Sequence, residues 1–214
     1  MNTTTRPSLA ARLKHETRDL HTLAEGSGVM ADLMRGRIDR QAYGALLRHL
    51  HALYAALESG LDRQSWDPRL WRPELRRLPG LERDLDALHP PGWRSDAPLT
   101  PAGDAYVRRL TALASDDPAL LMAHAYLRYL GDLHGGQMLA RLVRQQLGLA
   151  GAEGTAFYDF GPAAQVERLK QEFRAGLDAL SLTAPQADAF VAEACEGFRL
   201  HQQLFEALPS GTPA

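Results

Sequence analysis

Apolar residues recur every three or four positions along most of the chain, with polar residues between them. That spacing places the apolar side chains on one face of an α-helix. The first predicted helix runs from a cap at Ser8 to about residue 25, and its shared face carries Leu13, Thr17, Leu20, His21 and Ala24. The second runs from a cap at Asp39 to an end at Gly60, with an apolar stripe of Tyr43, Leu46, Leu47, Leu50, Tyr54 and Leu57.

A capping residue precedes a proline twice in the middle of the chain, which is the arrangement favoured where a helix begins. The two caps are Thr100 and Asp117, and they predict helices over 101–114 and 118–147. The second of these is the longest helix that the pattern predicts.

The remaining segments carry turn residues and caps that divide them into shorter elements. They predict two short helices in 67–88 split at Pro79-Gly80, a surface loop at 89–98, a helix from Gly161-Pro162 to about 180, and a last helix to about 207 that Thr183 and Gln186 begin with a capping box. We therefore expect one domain over residues 1–208, followed by a disordered tail at 209–214.

The composition agrees with this helical pattern. Leu and Ala together make up 69 of the 214 residues, whereas Val and Ile together make up 6. Helices favour the first pair and strands favour β-branched residues. The composition therefore predicts an all-α fold.

The charge balance and the single cysteine restrict the partners and the compartment. With 24 basic and 26 acidic residues the net charge is −2, so no overall positive field attracts nucleic acid or a membrane surface. No segment approaches the ~18 consecutive apolar residues of a membrane span, and the first residues lack the apolar run of a signal peptide. Cys195 has no partner for an internal disulfide. We expect a cytoplasmic protein.

A line of polar residues runs beside the apolar face of the first helix. It contains Lys14, Arg18, His21 and Glu25, at spacings of three or four residues. Glu25 lies one turn after His21 and can reach one ring nitrogen, which is how metal-ligating histidines are held in proteins. Lys14 lies roughly 10 Å back along the axis, within range of an anionic group on the same ligand. From spacing alone, a packed or solvated histidine is the commoner interpretation.

Three glycines interrupt the long predicted helix, and each costs about 1 kcal/mol relative to alanine. Gly131, Gly135 and Gly136 either let another helix pack closely or let a flat macrocycle lie against backbone that has no Cβ atoms. Asp132 and Arg128 stand beside them, one turn apart. They could face such a ligand, or form an exposed salt bridge worth about 0.3–0.5 kcal/mol. The spacing leaves both alternatives open.

A third cluster of charge lies in the penultimate helix. Lys170 and Arg174 are one turn apart and could bind carboxylates together, although such runs are usually a solvated helix face. Lys14 and Lys170 are the only lysines in the chain, against 22 arginines. Both lysines therefore fall on segments with a candidate anion site.

Two stretches of this sequence resemble known segments of one family. HETRDLHTLAE (15–25) looks like the proximal helix of haem oxygenases, and RYLGDLHGGQML (128–139) looks like their distal helix. Further segments are similar in the same order along nearly the whole chain, namely 51–58, 100–110, 120–132, 168–180 and 197–208. The resemblance implies a single-domain helical fold in which haem is sandwiched between the proximal helix and a kinked distal helix.

The resemblance also implies roles for individual residues. His21 is implied as the haem-iron ligand with Glu25 as its hydrogen-bonding partner, and Asp132 as the carboxylate that organises distal water. The other implied site residues are Lys14, Lys170 and Arg174 for the propionates, Gly131, Gly135 and Gly136 over the haem, Arg128, Tyr54 and Tyr106 in the polar network, and Phe198 in the pocket wall.

Two histidines depart from the pattern of the family. His134 stands where many relatives have a small hydroxyl residue, and His201 stands at a position often filled by asparagine in the mammalian enzymes. Neither change removes a required group. They leave open the orientation of the haem, and with it the meso carbon that is cut.

The implied activity is oxidative cleavage of haem by dioxygen to biliverdin, carbon monoxide and ferrous iron. Haem b is then both substrate and cofactor. The electrons come from a separate donor, a ferredoxin, flavodoxin or reductase, because the chain has no flavin or nicotinamide fingerprint. The alternatives are a haem-binding carrier or sensor without turnover, and a helical interaction domain without haem. Asp132 argues against the carrier, since storage does not need a distal acid.

Overall fold

The fold consists of helices, joined by short turns near the N-terminus and by longer segments at 63–77 and 148–162. The computed structural model describes residues 7–88, 92–94 and 98–210. Its helices are α1 Leu9–Glu16, α2 Arg18–Glu25, α3 Gly28–Met34, α4 Arg40–Asp62, α5 Leu78–Leu88, α6 Pro101–Asp116, α7 Pro118–Leu147, α8 Ala163–Asp178 and α9 Ala184–Ala207. Short 3₁₀ turns lie at Pro73–Leu75 and Ala156–Tyr158. No strand occurs in the described residues, which confirms the all-α prediction.

The predicted caps begin the helices where expected. The side chains of Asp39, Thr100 and Asp117 accept hydrogen bonds from backbone N–H groups three residues later, at 2.8, 3.2 and 3.4 Å. Thr183 and Gln186 form the predicted capping box at the start of α9. These side chains satisfy backbone donors that have no partner inside the helix, which fixes the start of each helix.

The first predicted helix is divided into α1 and α2 at Thr17. The hydroxyl of Thr17 donates to the carbonyl oxygen of Leu13 at 2.7 Å, beside the backbone hydrogen bond from Thr17 to the same oxygen at 3.0 Å. Such a side chain competes with the backbone for a helix carbonyl and bends the helix. His21 N still bonds the Thr17 carbonyl at 2.9 Å, so the helical hydrogen-bond pattern resumes directly after Thr17.

Two predicted boundaries were wrong. Gly60 does not end α4, because it is a packing glycine: a Cβ there would lie 2.6 Å from Leu121 and 2.8 Å from Ala114. Pro79-Gly80 does not split a helix either, since Pro79 lies in the first turn of α5, where its missing N–H has no intrahelical partner to lose.

Two other predicted segments lie partly outside the described residues. Of the predicted loop at 89–98, only residues 92–94 and 98 are described. Of the predicted tail at 209–214, only residues 209 and 210 are described.

The core is built around α4, α7 and α9. α4 packs against α5, α6 and α7, and α9 packs against α2, α3, α6 and α7. Tyr54, Tyr106 and Tyr129 are fully buried between these helices, and Phe173 of α8 is fully buried against Tyr129. Since α2 and α7 both pack on α9, the two helices face each other across it. In the described ranges every helix is too short or too polar to cross a bilayer.

Candidate functional site

A cleft of about 240 Å³ opens between α2 and α7, with α9 at its base. Its apolar lining contains Met30, Met34, Leu127, Met138, Phe198 and Phe205. The three methionines are not among the site residues expected from the sequence. The acidic, basic and histidine residues that line the cleft are His21, Glu25, Arg128, Asp132, His134 and His201. The cleft therefore combines an apolar body with a few polar groups, as sites for flat organic ligands do.

The α2 wall presents the imidazole of His21. The side chain is 46% exposed, and its Nδ1 atom lies 3.5 Å from a carboxylate oxygen of Glu25. The ring of Phe198 meets it edge to face at a centroid distance of 5.6 Å. Among the described residues the Nε2 atom of His21 has no hydrogen-bond partner. With Nδ1 directed toward Glu25, Nε2 is the nitrogen that can bind a metal.

The opposite wall is the α7 face that carries Gly131 and Gly135. A Cβ atom added at Gly131 would meet no neighbouring group within 4 Å, and one at Gly135 would meet only Leu139 at 3.9 Å. No other helix of the described part of the chain packs against these two glycines, which argues against the close-packing explanation for them. Gly136 differs: it is buried, and its Cβ would lie 3.5 Å from Tyr158, outside the lining of the cleft.

Three buried side chains form a network at the end of this wall. Arg128 donates from Nη2 to Asp132 at 2.8 Å and from Nε to the Tyr54 hydroxyl at 3.1 Å. The Tyr54 hydroxyl donates to the other oxygen of Asp132. The side chains of Arg128 and Asp132 are only 13% and 7% exposed, so the pair is a buried ion pair rather than a surface salt bridge.

Burial sets the protonation behaviour of this network. It raises the pKa of Asp132 above its usual value, although the charge of Arg128 acts in the opposite direction. Burial also raises the pKa of Tyr54 well above 10, so its hydroxyl stays a donor at neutral pH. A carboxyl group with a raised pKa in a cleft is typical of sites that transfer protons.

Comparison with known proteins identifies the family. A family model described as heme oxygenase matches residues 7–207. This chain belongs to the haem oxygenase family. Haem oxygenase 1 of Nostoc is 33% identical, covering 94% of this chain and 86% of that protein, and haem oxygenase 1 of Homo sapiens is 36% identical, covering 94% and 71%. A crystal structure of haem oxygenase-2 from Synechocystis with haem and NO has a TM-score of 0.89 and 35% identity, covering 94% and 85%.

The three cations that the haem oxygenase family pattern implies for the propionates lie outside the lining of the cleft. Lys14 is exposed on α1, and Lys170 pairs with Glu167 at 3.3 Å. Arg174 donates to Nε2 of His134 at 2.7 Å and so reaches the cleft wall through that ring. Burial, together with the charge of Arg174, lowers the pKa of His134, which favours the neutral ring that can accept this hydrogen bond.

Tyr106 lies behind the cleft, fully buried on α6. Its hydroxyl is 3.1 Å from Nδ1 of His201, whose Nε2 is 3.1 Å from Nη1 of Arg128. The structure thus connects Tyr106 through His201 to the network of Arg128, Tyr54 and Asp132, which we call the distal network.

The turn Ala156–Tyr158 is not predicted by the sequence pattern, and it adds Phe157 and Tyr158 to the lining of the cleft. Asp84 accepts hydrogen bonds from the backbone N–H groups of Ala156 and Phe157 at 2.7 and 2.8 Å. Arg77 donates to the carbonyl oxygen of Phe157 at 3.1 Å. The available signal was the aromatic run FYDF (157–160) in a loop predicted only from its glycines.

Proposed function

We propose that the cleft binds haem b and that this protein cleaves it with dioxygen to biliverdin, carbon monoxide and ferrous iron. The observation that carries the proposal is the pair of facing walls: an imidazole with a free Nε2 atom on α2, and backbone without Cβ atoms at Gly131 and Gly135 on α7. An imidazole nitrogen is one of the ligands that haem iron takes in proteins, and backbone without Cβ atoms lets a flat macrocycle lie close on its other face.

The donor set also fits haem. A neutral histidine is a common proximal ligand of haem iron, and the apolar side chains of Met34, Met138 and Phe198 suit the macrocycle. The Synechocystis relative that was solved with haem has the same fold, which supports haem as the ligand. When bound, haem supplies the iron that activates dioxygen and the ring that is oxidised.

In the proposed reaction, the side chains of this protein position the haem and supply protons at the cleft. Glu25 orients the ring of His21 and favours the tautomer in which Nε2 is free to bind iron. Asp132 holds water at the distal side of the cleft and exchanges a proton with it, while Arg128 and Tyr54 fix its two oxygens. The backbone at Gly131 and Gly135 would lie against one face of a bound haem and so limit which edge of the ring is accessible.

The reaction also needs electrons, and the sequence contains no motif for a cofactor that would supply them. We assign the electrons to a separate donor of the ferredoxin, flavodoxin or reductase class, because the sequence has no fingerprint of its own for flavin or nicotinamide. The single cysteine, Cys195, is free, which supports a reducing compartment, and we place the reaction in the cytoplasm.

Aerobic turnover tests the proposed activity. We expect the purified protein with one equivalent of haem to form a Soret band, and addition of a reductant in air to replace it with bilin absorption. Chromatography should identify biliverdin, with one carbon monoxide released per haem. A Soret band that persists without bilin would instead identify a carrier or sensor, and the absence of a Soret band would favour a helical interaction domain.

Substitution of Gly131 by alanine separates stability from haem binding. The added Cβ meets nothing within 4 Å, so we expect the haem-free protein to be stabilised by about 1 kcal/mol through helix propensity. The same methyl group occupies space needed by the haem, and we expect roughly tenfold weaker binding, about 1.4 kcal/mol. Thermal unfolding and Soret titration measure the two effects. Gly151→Ala, which also adds a Cβ in open space but outside the cleft, should leave haem affinity unchanged.

The three cations are expected to control which meso carbon is cut. We propose that Lys14, Lys170 and Arg174 bind the propionates and so fix the rotation of the haem in its plane. Their combined replacement by alanine should change the ratio of biliverdin isomers, measured by product chromatography. Arg199→Ala removes an exposed cation that pairs with Glu196, and it should not change that ratio. A single unchanged isomer in the triple variant would contradict the assignment.

A further inference from the structure

A chain of buried hydrogen bonds runs from the distal network through the core. It begins at Arg128, whose Nη1 atom is 3.1 Å from Nε2 of His201. The Nδ1 atom of His201 is 3.1 Å from the hydroxyl of Tyr106 and 3.0 Å from the carbonyl oxygen of Gly197. His201 is only 2% exposed and lies on α9, so it joins α6, α7 and α9 at one point.

The chain of hydrogen bonds continues from Tyr106 to a buried carboxylate. The Tyr106 hydroxyl is 3.0 Å from Nδ1 of His124, and Nε2 of His124 is 2.8 Å from Glu193. Arg109 also donates to Glu193, from Nε at 3.0 Å. Although burial alone would raise it, the pKa of Glu193 falls to about 2 because His124 and Arg109 both bond to the carboxylate. This end of the chain is therefore an acceptor at neutral pH.

The two ends determine the position of every proton between them. A guanidinium only donates, so Nε2 of His201 accepts from Arg128, and the ring of His201 carries its proton on Nδ1. Burial and the charge of Arg128 lower the pKa of His201 well below 6.5, in agreement with a neutral ring. At the other end the carboxylate of Glu193 only accepts, so Nε2 of His124 donates. The hydroxyl of Tyr106 then accepts from His201 and donates to Nδ1 of His124.

The direction of these bonds argues against a proton relay. Each donor points away from the cleft, and the chain begins at a guanidinium, which does not release its proton in proteins. Instead, these hydrogen bonds hold an acceptor in place. The carbonyl oxygen of Gly197 and the hydroxyl of Tyr106 both fix the proton of His201 on Nδ1. The Nε2 atom of His201 is then free to accept from Arg128.

We infer that His201 is a positioning residue that orients Arg128 for the distal site. Each of the three nitrogen atoms of the Arg128 guanidinium has one partner in the described part of the chain: Nη1 bonds His201, Nε bonds Tyr54 and Nη2 bonds Asp132. Without an acceptor at position 201 the planar group can turn away from the other two partners. The inference concerns the network itself, and its effect on catalysis rests on the proposed function.

The tautomer of His201 is tested in the haem-free protein, independently of activity. With histidine ¹⁵N labels, NMR should show a protonated Nδ1 and an unprotonated Nε2 for His201 at pH 7. The assignment of this resonance comes from its loss in His201→Leu. Protonation at Nε2 would overturn the inference, because that atom could then not accept from Arg128.

Three variants test the effect on Arg128 and Asp132. His201→Leu removes the acceptor, whereas His201→Gln places an amide oxygen near the position of Nε2. His49→Leu is the matched control, since His49 is an equally buried histidine that bonds Ala45 and Thr100 away from the cleft. In haem-free protein, NMR titration should give a further raised pKa for Asp132 in the Leu variant at position 201, and the native pKa in the Gln variant and in the control.

Turnover completes the test. We expect the rate of biliverdin formation per bound haem to slow about tenfold in His201→Leu, and to return to within about threefold of the native rate in His201→Gln. An unchanged pKa of Asp132 in His201→Leu, or equal losses in the Leu and Gln variants, would contradict the positioning role. If the native protein makes no biliverdin, the proposed function fails, and the tautomer and the pKa of Asp132 still decide the role of His201.

Discussion

Substitution of Asp132 by asparagine should leave haem binding intact and reduce biliverdin formation by at least about a hundredfold, the scale of a lost proton-transferring group. Asparagine has nearly the same shape and can still accept from Arg128, so the cleft keeps its form. It cannot hold a transferable proton, and it removes the charge that balances Arg128. Soret titration measures the binding, and chromatography of the products of aerobic turnover measures the yield.

The matched control is Glu58→Gln. Glu58 is another buried carboxylate, 3% exposed, but it accepts from the backbone N–H groups of Arg77 and Leu78 and does not line the cleft. We expect this variant to be less stable and to turn over haem at the native rate. A full yield of biliverdin from Asp132→Asn would show that another group supplies the proton.

Replacement of His21 by alanine should leave the haem-free fold unchanged and abolish turnover. The side chain is 46% exposed, so its loss removes little packing, and circular dichroism should report native helicity. The haem complex should lose the spectroscopic signature of an imidazole ligand, since the other histidines among the described lining residues, His134 and His201, are hydrogen-bonded at both ring nitrogens. Added imidazole should restore that signature by filling the space left by the ring.

His15→Ala is the control for this variant. His15 is also exposed, lies on α1 six residues earlier and does not line the cleft. Its replacement should change neither the spectrum nor the turnover. An unchanged ligand field in His21→Ala would mean that a different residue binds the iron.

The parts of the fold that local chemistry specifies were predictable from the sequence. Caps such as Asp39 and Thr183 act on backbone groups three residues away, and these starts were predicted correctly. The glycine and proline signals at Gly60 and Pro79 were misread as breaks. At Gly60 the deciding factor is a packing partner on another helix, Leu121, which the local pattern does not contain.

The same limit applies to the candidate site. Spacing alone placed His21 with Glu25 and Arg128 with Asp132, because each pair lies one turn apart on one helix. It did not distinguish Gly135 from Gly136, although one residue turns a helix by about 100° and moves the second glycine out of the cleft.

The other hydrogen bonds of the candidate site join residues that are distant in the sequence. His201 is 73 residues from Arg128 and His124 is 69 residues from Glu193, and no local pattern contains either pairing. The resemblance to haem oxygenases linked Tyr54 and Tyr106 to the network, and it flagged His201 only as a departure. The chain that fixes the tautomer of His201 appears only when α6, α7 and α9 are brought together.

A crystal structure of the protein with haem tests the central claim most directly. We predict iron bound to Nε2 of His21, with the opposite face of the macrocycle against the backbone at Gly131 and Gly135 and with Asp132 directed toward that face. Iron held by any other side chain, or a macrocycle lying away from those two glycines, would contradict the account.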